Sequence, residues 1–273
     1  MVSNTIKALA AAALVGIFVT IFVLLQSGTS GGQNQTADAG KTVVSAELDR
    51  TQIETIVKEY IQKNPRLIGD ALLELQRIEA EEEEKRARVA ITSNFEKLAY
   101  SDFAYIAGNP KGDVTVVEFF DYNCGFCKRA FADMARLIEN DKNVRVVFKE
   151  FPIFGKQSED AARAALASVE QGKYFEFHRR LLVDPGRANK TKAMSIARDL
   201  NLDVEKLQTD MNSSFVNKAL EESQKLALDL RIQGTPHYLI GTDVIQGAPE
   251  DLYDQMVARI AQVRKEGCGL QRC

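Results

Sequence analysis

Residues 114–131 read VTVVEFFDYNCGFCKRAF. The first seven of them, Val114 to Phe120, are β-branched or aromatic apart from one acid, the composition of a strand buried on both faces. Asp121, Tyr122 and Asn123 end that run. Beyond them, the spacing of Phe131, Met134, Ala135, Leu137 and Ile138 predicts an amphipathic helix whose first turn holds Cys124 and Cys127. Unpaired N–H groups and the positive end of the helix dipole at that position favour a thiolate at Cys124. Two cysteines so spaced, one sulfur exposed at the helix start and its partner one turn inward, can cycle between dithiol and disulfide.

Other uses of the pair meet obstacles. Half of a zinc site needs two more ligands at similar spacing, and the chain offers only His178, His237 and the distant Cys268 and Cys273. A purely structural bridge closing so short a loop would constrain the unfolded chain little. Redox exchange is the favoured reading.

The chain has 273 residues, 45% hydrophobic and 27% charged, with room for one large domain or a domain with an extension. A net charge of -3 without a dense basic stripe gives no reason to expect nucleic-acid binding. Four cysteines in two close pairs suit an oxidising compartment.

Residues 8–25 are almost unbroken apolar, preceded by Lys7, and as a helix would cover about 27 Å, close to the thickness of a bilayer core. Residues 1–26 therefore read as a signal anchor or a signal peptide. Ala37-Asp38-Ala39 has the small-x-small pattern of a cleavage site but stands well past the apolar run, which favours an uncleaved anchor with the remainder facing outward. Residues 27–44 read as a flexible linker.

A helical arm is expected over residues 45–98. Asp49 can cap a helix carrying Ile53, Ile56, Val57, Tyr60 and Ile61 on one stripe, and Asn64-Pro65 interrupts it. A second helix carries Leu67, Ile68, Ala71, Leu72, Leu75 and Ile78 before the charged run 79–88, which reads as a solvated spacer. Self-association would cover the narrow apolar stripe; the alternative is packing back on the chain's own domain.

The remaining pattern is a domain over residues 99–266. Strands are expected at 103–106, 114–120, 144–148, 237–240 and 244–246, with the second and third parallel through a right-handed crossover. Residues 158–230 read as a series of helices, broken at Asp184-Pro185-Gly186, and residues 252–263 as a closing helix. His178, on one of those helices, reads as structural or solvated. In the tail 267–273, Cys268 and Cys273 most simply form a local disulfide in an exposed segment; a second redox pair, free thiols and metal capture, for which two sulfurs alone could suit Cu(I), are the alternatives.

The strand, Glu118 six residues before the first cysteine, Phe119-Phe120, the CxxC and a distant Gly234-Thr235-Pro236 before a strand together resemble the thioredoxin superfamily, in its DsbA-like branch. The resemblance covers residues 103–266. It implies an α/β thioredoxin fold with a DsbA-like helical insertion, preceded here by the membrane segment and the arm. It also implies Cys124 as nucleophile, Cys127 as resolving thiol and no bound cofactor. Pro236 would be cis, exposing backbone groups for a client strand, with Thr235 beside the sulfurs.

Glu118 resembles the buried acid that takes the second cysteine's proton; a strand residue paired with Lys149 is the alternative. Gly125 and Phe126, inside the CxxC, tune the nucleophile. Strongly oxidising relatives carry His where Phe126 stands, which implies a weaker oxidant. The stretch YIQKNPRLIGDALLELQ is similar to the oligomerisation region of ScsC-type proteins, associated with suppression of copper sensitivity, and implies a homo-oligomer, a trimer in that group.

These resemblances imply a periplasmic protein of a Gram-negative cell, tethered through residues 8–25 or soluble after cleavage. Its activity would be disulfide isomerase or reductase on misfolded disulfide-containing clients, kept reduced by a membrane partner of the DsbD or ScsB kind. One alternative is an oxidase recharged by a DsbB-type partner; another is a copper-binding or copper-relay protein.

Overall fold

The computed structural model describes residues 49–270 and residue 273. The apolar run 8–25, the cleavage pattern at 37–39 and the linker lie outside them. Among the described residues no helix is long and apolar enough to cross a membrane.

The described residues fall into two units that divide between Asn64 and Pro65. The described part of the first is helix α1, Arg50–Lys63. Asp49 caps it reciprocally with Gln52: the Gln52 N–H donates to the Asp49 carboxylate at 2.8 Å, and the Asp49 N–H donates to the Gln52 side chain at 3.2 Å. Asn64 ends it by turning its backbone N–H and its side-chain amide onto the Tyr60 carbonyl, and Pro65 has no N–H to carry the ladder further. No residue of α1 is buried, and the stripe Ile53, Ile56, Val57 and Tyr60 is exposed.

The second unit opens with α2, Arg66–Ala99, which runs through the charged segment without a break. Ion pairs three and four residues apart hold that segment helical, with Arg77 on Glu74 and Glu81, Arg86 on Glu82 and Glu83, and Arg88 on Glu84. Its end is no spacer: Ile91, Leu98 and Ala99 are buried on the sheet, so one helix carries both the exposed apolar residues Leu67, Ile68, Leu72, Leu75 and Ile78 and a piece of the domain core.

Five strands follow in the order β1-β3-β2-β4-β5: β1 Tyr105–Gly108, β2 Val114–Phe120, β3 Val144–Glu150, β4 His237–Ile240 and β5 Asp243–Gln246. β2 and β3 are parallel, joined through α3, Gly125–Asn140; every other pair is antiparallel. All seven residues of both β2 and β3 are buried, as a sheet covered on two faces requires. β1 starts two residues later than its expected position, because Phe103 packs on Phe215 instead of entering the sheet.

The helical insertion comprises α4 Lys156–Ala167, a 3-10 turn Ser168–Gln171, α5 Tyr174–Val183, α6 Lys190–Asp199, α7 Val204–Asp210 and α8 Ser214–Asp229. The closing helix α9 is Leu252–Glu266. On one sheet face Val117, Phe119, Val147 and Leu239 meet Ile91 and Leu98 of α2 and Leu226 of α8. On the other, Val116, Phe120, Val146 and Phe148 join a larger core with Phe131, Met134 and Leu137 of α3 and Met256 and Ile260 of α9.

The C-terminal cysteines are disulfide-bonded, 2.11 Å between sulfurs. The segment is not an exposed tail as expected. Cys268 is 5% exposed, and the Cys273 carbonyl accepts the Thr115 N–H at 2.8 Å, beside the start of β2. Gly241, at φ 61, leaves room for this packing: a Cβ there would stand 3.0 Å from that of Cys268. No group of three or more potential metal ligands occurs among the described residues.

Candidate active site

Cys124 is the N-cap of α3, with extended backbone at φ -74 and ψ 118, and Cys127 lies one turn inside. Both are free thiols. The expectation of an exposed first sulfur is corrected: Cys124 is 3% exposed, because the loop before β4 closes over it, while Phe126 is 55% exposed. In that loop the Thr235–Pro236 peptide is cis, and the Cys124 thiol donates to the Thr235 carbonyl at 3.1 Å.

The two thiols differ sharply in acidity. Hydrogen bonding from the Cys127 thiol, joined by the Thr235 side chain and the backbone N–H groups of Cys127 and Phe126, pulls Cys124 down to about 5 against the opposing cost of burial. As a thiol, Cys124 leaves the buried Thr235 hydroxyl without a partner; as a thiolate it gains that hydroxyl as a donor. Burial, donation to Cys124 and the Glu118 charge push Cys127 far upward. One sulfur is thus set to attack while its neighbour keeps its proton.

Glu118, 4% exposed, faces Tyr238 across the β2–β4 ladder. Burial raises its carboxyl to about 8; the Tyr238 hydroxyl opposes that rise and the Cys124 charge adds to it. The alternative pairing with Lys149 does not occur. In the β2–β3 register Glu118 stands opposite Phe148, so Lys149 projects from the other sheet face. There its ammonium donates to Glu222 and to the Lys97 carbonyl, each at 2.8 Å.

Several supporting residues went unread in the sequence. Asp121 accepts the Asn123 N–H at 2.6 Å and the Ser158 hydroxyl at 2.8 Å through one oxygen, and the Phe154 N–H at 3.0 Å through the other, fixing the turn before Cys124. Its position two residues before an accepted N–H is an Asx turn, a signal the sequence did contain. Deeper, the Tyr122 and Tyr174 hydroxyls both donate to Glu150 at 2.9 Å, and His178 Nδ1 lies 3.0 Å from the Tyr122 oxygen. Since that hydroxyl is committed to Glu150, the imidazole is the donor. Burial lowers His178 to about 3 and holds Glu150 well above the usual carboxylate range, which disfavours charge on both, and His178 serves as a hydrogen-bond partner of Tyr122. No local pattern marks Glu150 or Tyr174.

Outside the sulfurs lies a groove of about 440 Å³ lined by Phe126, Gly234, Thr235, Pro236 and His237. The Arg129 guanidinium stacks 4.9 Å from the Phe126 ring. A Cβ at Gly125 would meet nothing within 4 Å, so packing does not demand glycine there.

A helix-start cysteine pair facing a cis-proline loop on this sheet defines a thioredoxin-type redox domain. The DSBA-like thioredoxin domain model matches residues 115–261, and this chain belongs to that family. The N-terminal domain of the copper resistance protein ScsC matches residues 49–82. A thioredoxin-like oxidoreductase from Silicibacter pomeroyi is 44% identical, with a TM-score of 0.60 over 62% of this chain and 97% of that one. Disulfide bond formation protein D of Bacillus subtilis is 27% identical over 59% of this chain and 77% of its own length. A Na(+)/H(+) antiporter NhaA of Salinispora arenicola is 26% identical over 51% of this chain, which spans only 22% of the antiporter's length.

Proposed function

We propose that the protein is a thiol–disulfide oxidoreductase of exported polypeptides, working as an isomerase or reductase and not as an oxidase. The carrying observation is the unequal pair: Cys124 ionised below neutrality at the helix start, and Cys127 buried with its proton beside Glu118. The Cys124 thiolate attacks one sulfur of a client disulfide, the client S–S bond breaks, and the other client sulfur leaves as thiolate. Once Cys124 is bonded to the client its charge no longer holds the Glu118 carboxyl up. The ionised form of Glu118 then takes the Cys127 proton and Cys127 attacks Cys124 Sγ, releasing a reduced client and an oxidised Cys124–Cys127 pair. If a second client thiolate attacks instead, the client is rearranged with no net electron transfer.

Two features support the isomerase or reductase direction. No cation or imidazole stands between the cysteines, and a thiol near 5 falls between the strongly oxidising members at about 3.5 and thioredoxin at about 7. Turnover in this direction calls for an electron donor, here a membrane reductant of the DsbD or ScsB kind. The exposed stripes at residues 53–61 and 67–78 support self-association, and a trimer is the state proposed. The site then works in the periplasm, delivered or tethered by residues 8–25.

Trapping the envelope thiols with an alkylating reagent tests the direction: a largely reduced pair is expected, and a largely oxidised one would reverse the assignment to oxidase. Cys124→Ser is expected to abolish activity on scrambled ribonuclease; a parental rate would overturn the whole reading.

A further inference from the structure

Among the described residues β5 is the last strand of the sheet and pairs with β4 alone. Beside it lies a cavity of about 670 Å³, within the roughly 300–1,000 Å³ of ligand-enclosing sites. Its floor is the sheet face carrying His237, Leu239, Val244 and Gln246, and its roof is the stretch of α2 bearing Ala80, Glu83 and Ala87. Arg88 bridges roof and floor, 2.9 Å from Glu84 and 3.7 Å from Asp243. The cavity is not isolated. Glu83, Arg231, His237 and Gln246 also line the groove at Phe126 and Pro236, so the two form one continuous concave track.

Arg231 marks the junction. It follows α8 with φ 55, in a Schellman-type turn where Ile232 N–H donates to Ala227 and Arg231 N–H to Leu228. Glycine serves that left-handed position without penalty, whereas an arginine is strained there. A strained residue whose exposed side chain borders both halves of the track points to a use for that side chain.

We infer that the channel between α2 and the β4–β5 hairpin is the second half of the client site, binding in extended form the polypeptide that flanks the client's cysteine. This deepens the proposed activity and rests on it. A client sulfur bonded to Cys124 must lie beside Thr235 and Phe126, and the track leads from there past Arg231 and His237 to β5. The unpaired edge of β5, four residues or about 14 Å, offers main-chain partners irrespective of client sequence, and alternate client side chains fall beneath α2. Arg231 takes a client carbonyl or carboxylate at the junction. α2 is thereby a wall of the site as well as part of the arm.

The test uses the full chain carrying Cys127→Ala and a peptide of roughly twelve residues, extended enough to reach β5 in either chain direction. Its central cysteine is joined in a disulfide to 2-nitro-5-thiobenzoate. Cys124 thiolate attacks the peptide sulfur, the peptide–thiobenzoate S–S bond breaks, and the coloured thiolate released reports the mixed disulfide. Hydrogen exchange of the product is expected to slow at residues 243–246 and 80–91 as well as beside Cys124. Ala87→Trp, which fills the roof, and Arg231→Gly, which relieves the backbone, are each expected to lower about tenfold the ratio of the peptide's rate constant to that of Ellman's reagent.

A mixed disulfide that forms normally but slows exchange only at residues 124–131 and 233–237, with both ratios unchanged, would overturn the channel and leave the redox assignment standing. Failure to form any mixed disulfide would overturn both. Slow exchange of residues 243–246 in the unreacted protein that is lost on dilution would give the channel to a second copy of the chain, again against the proposal.

Discussion

The Cys124 thiol and the Thr235 carbonyl stand 3.1 Å apart across 111 positions of sequence. The same loop brings the Thr235 hydroxyl to the sulfur, where it is a donor with no other partner among the described residues. Thr235→Val should raise the Cys124 pKa above about 5, and Thr235→Ser should hold it, as read by thiolate ultraviolet absorbance against pH. Because the folded thiol ionises near 5 and the ordinary value is 9.0, the reduced protein should gain stability over Cys124→Ser as pH rises from 5 to 9, and lose that gain below 5. An unchanged midpoint in Thr235→Val would remove the hydroxyl from the mechanism.

Glu118 makes the opposite linkage. Its carboxyl is raised from 4.5 to about 8, so the folded state holds a proton that the unfolded state releases, and this contribution is present below 4.5 and lost as pH rises through 8. Glu118→Gln should therefore be more stable than the parent toward pH 8, relative to pH 4.5. The same substitution should slow release of a peptide from Cys124 by roughly a hundredfold in single turnover, with the pH dependence near neutrality flattened. Equal release rates would leave Glu118 a structural acid.

Lys149 and Glu222 tie β3 to α8, with the Lys149 side chain 1% exposed and Glu222 18%. Removal of either partner is unequal: Lys149→Met leaves a carboxylate that reaches water, whereas Glu222→Gln strands a buried ammonium. Lys149→Met should cost about 2 kcal/mol in urea unfolding and Glu222→Gln more than that. The reverse order would show that the Lys97 carbonyl alone satisfies the ammonium.

The arm carries its apolar residues in the open, with Ile56 and Leu72 each 55% exposed. Ile56→Glu with Leu72→Glu should abolish the proposed self-association in sedimentation equilibrium, without altering the thiolate titration of Cys124, which lies in the redox domain. An oligomer that survives both changes would place the interface elsewhere.

How far these features were legible depends on how far apart their parts lie in the chain. β2, the cysteine pair and α3 are contiguous, so strand composition, turn residues and helical spacing specified them together. The capping of α1 by Asp49 and its end at Asn64 are equally local. Even the distant Thr235-Pro236 was readable, because its resemblance to a known loop stood in for the missing contact.

By itself, then, the sequence determined the strand–turn–helix that carries Cys124 and Cys127, the helical insertion and the charged arm, since each follows from side chains within a few residues of one another. Tertiary structure alone decided that Cys124 is covered, that Lys149 serves Glu222 instead of Glu118, that Glu150 gathers Tyr122 and Tyr174, and that the tail disulfide docks beside β2. A single step of strand register turns a side chain to the opposite face, and only the assembled sheet sets that register.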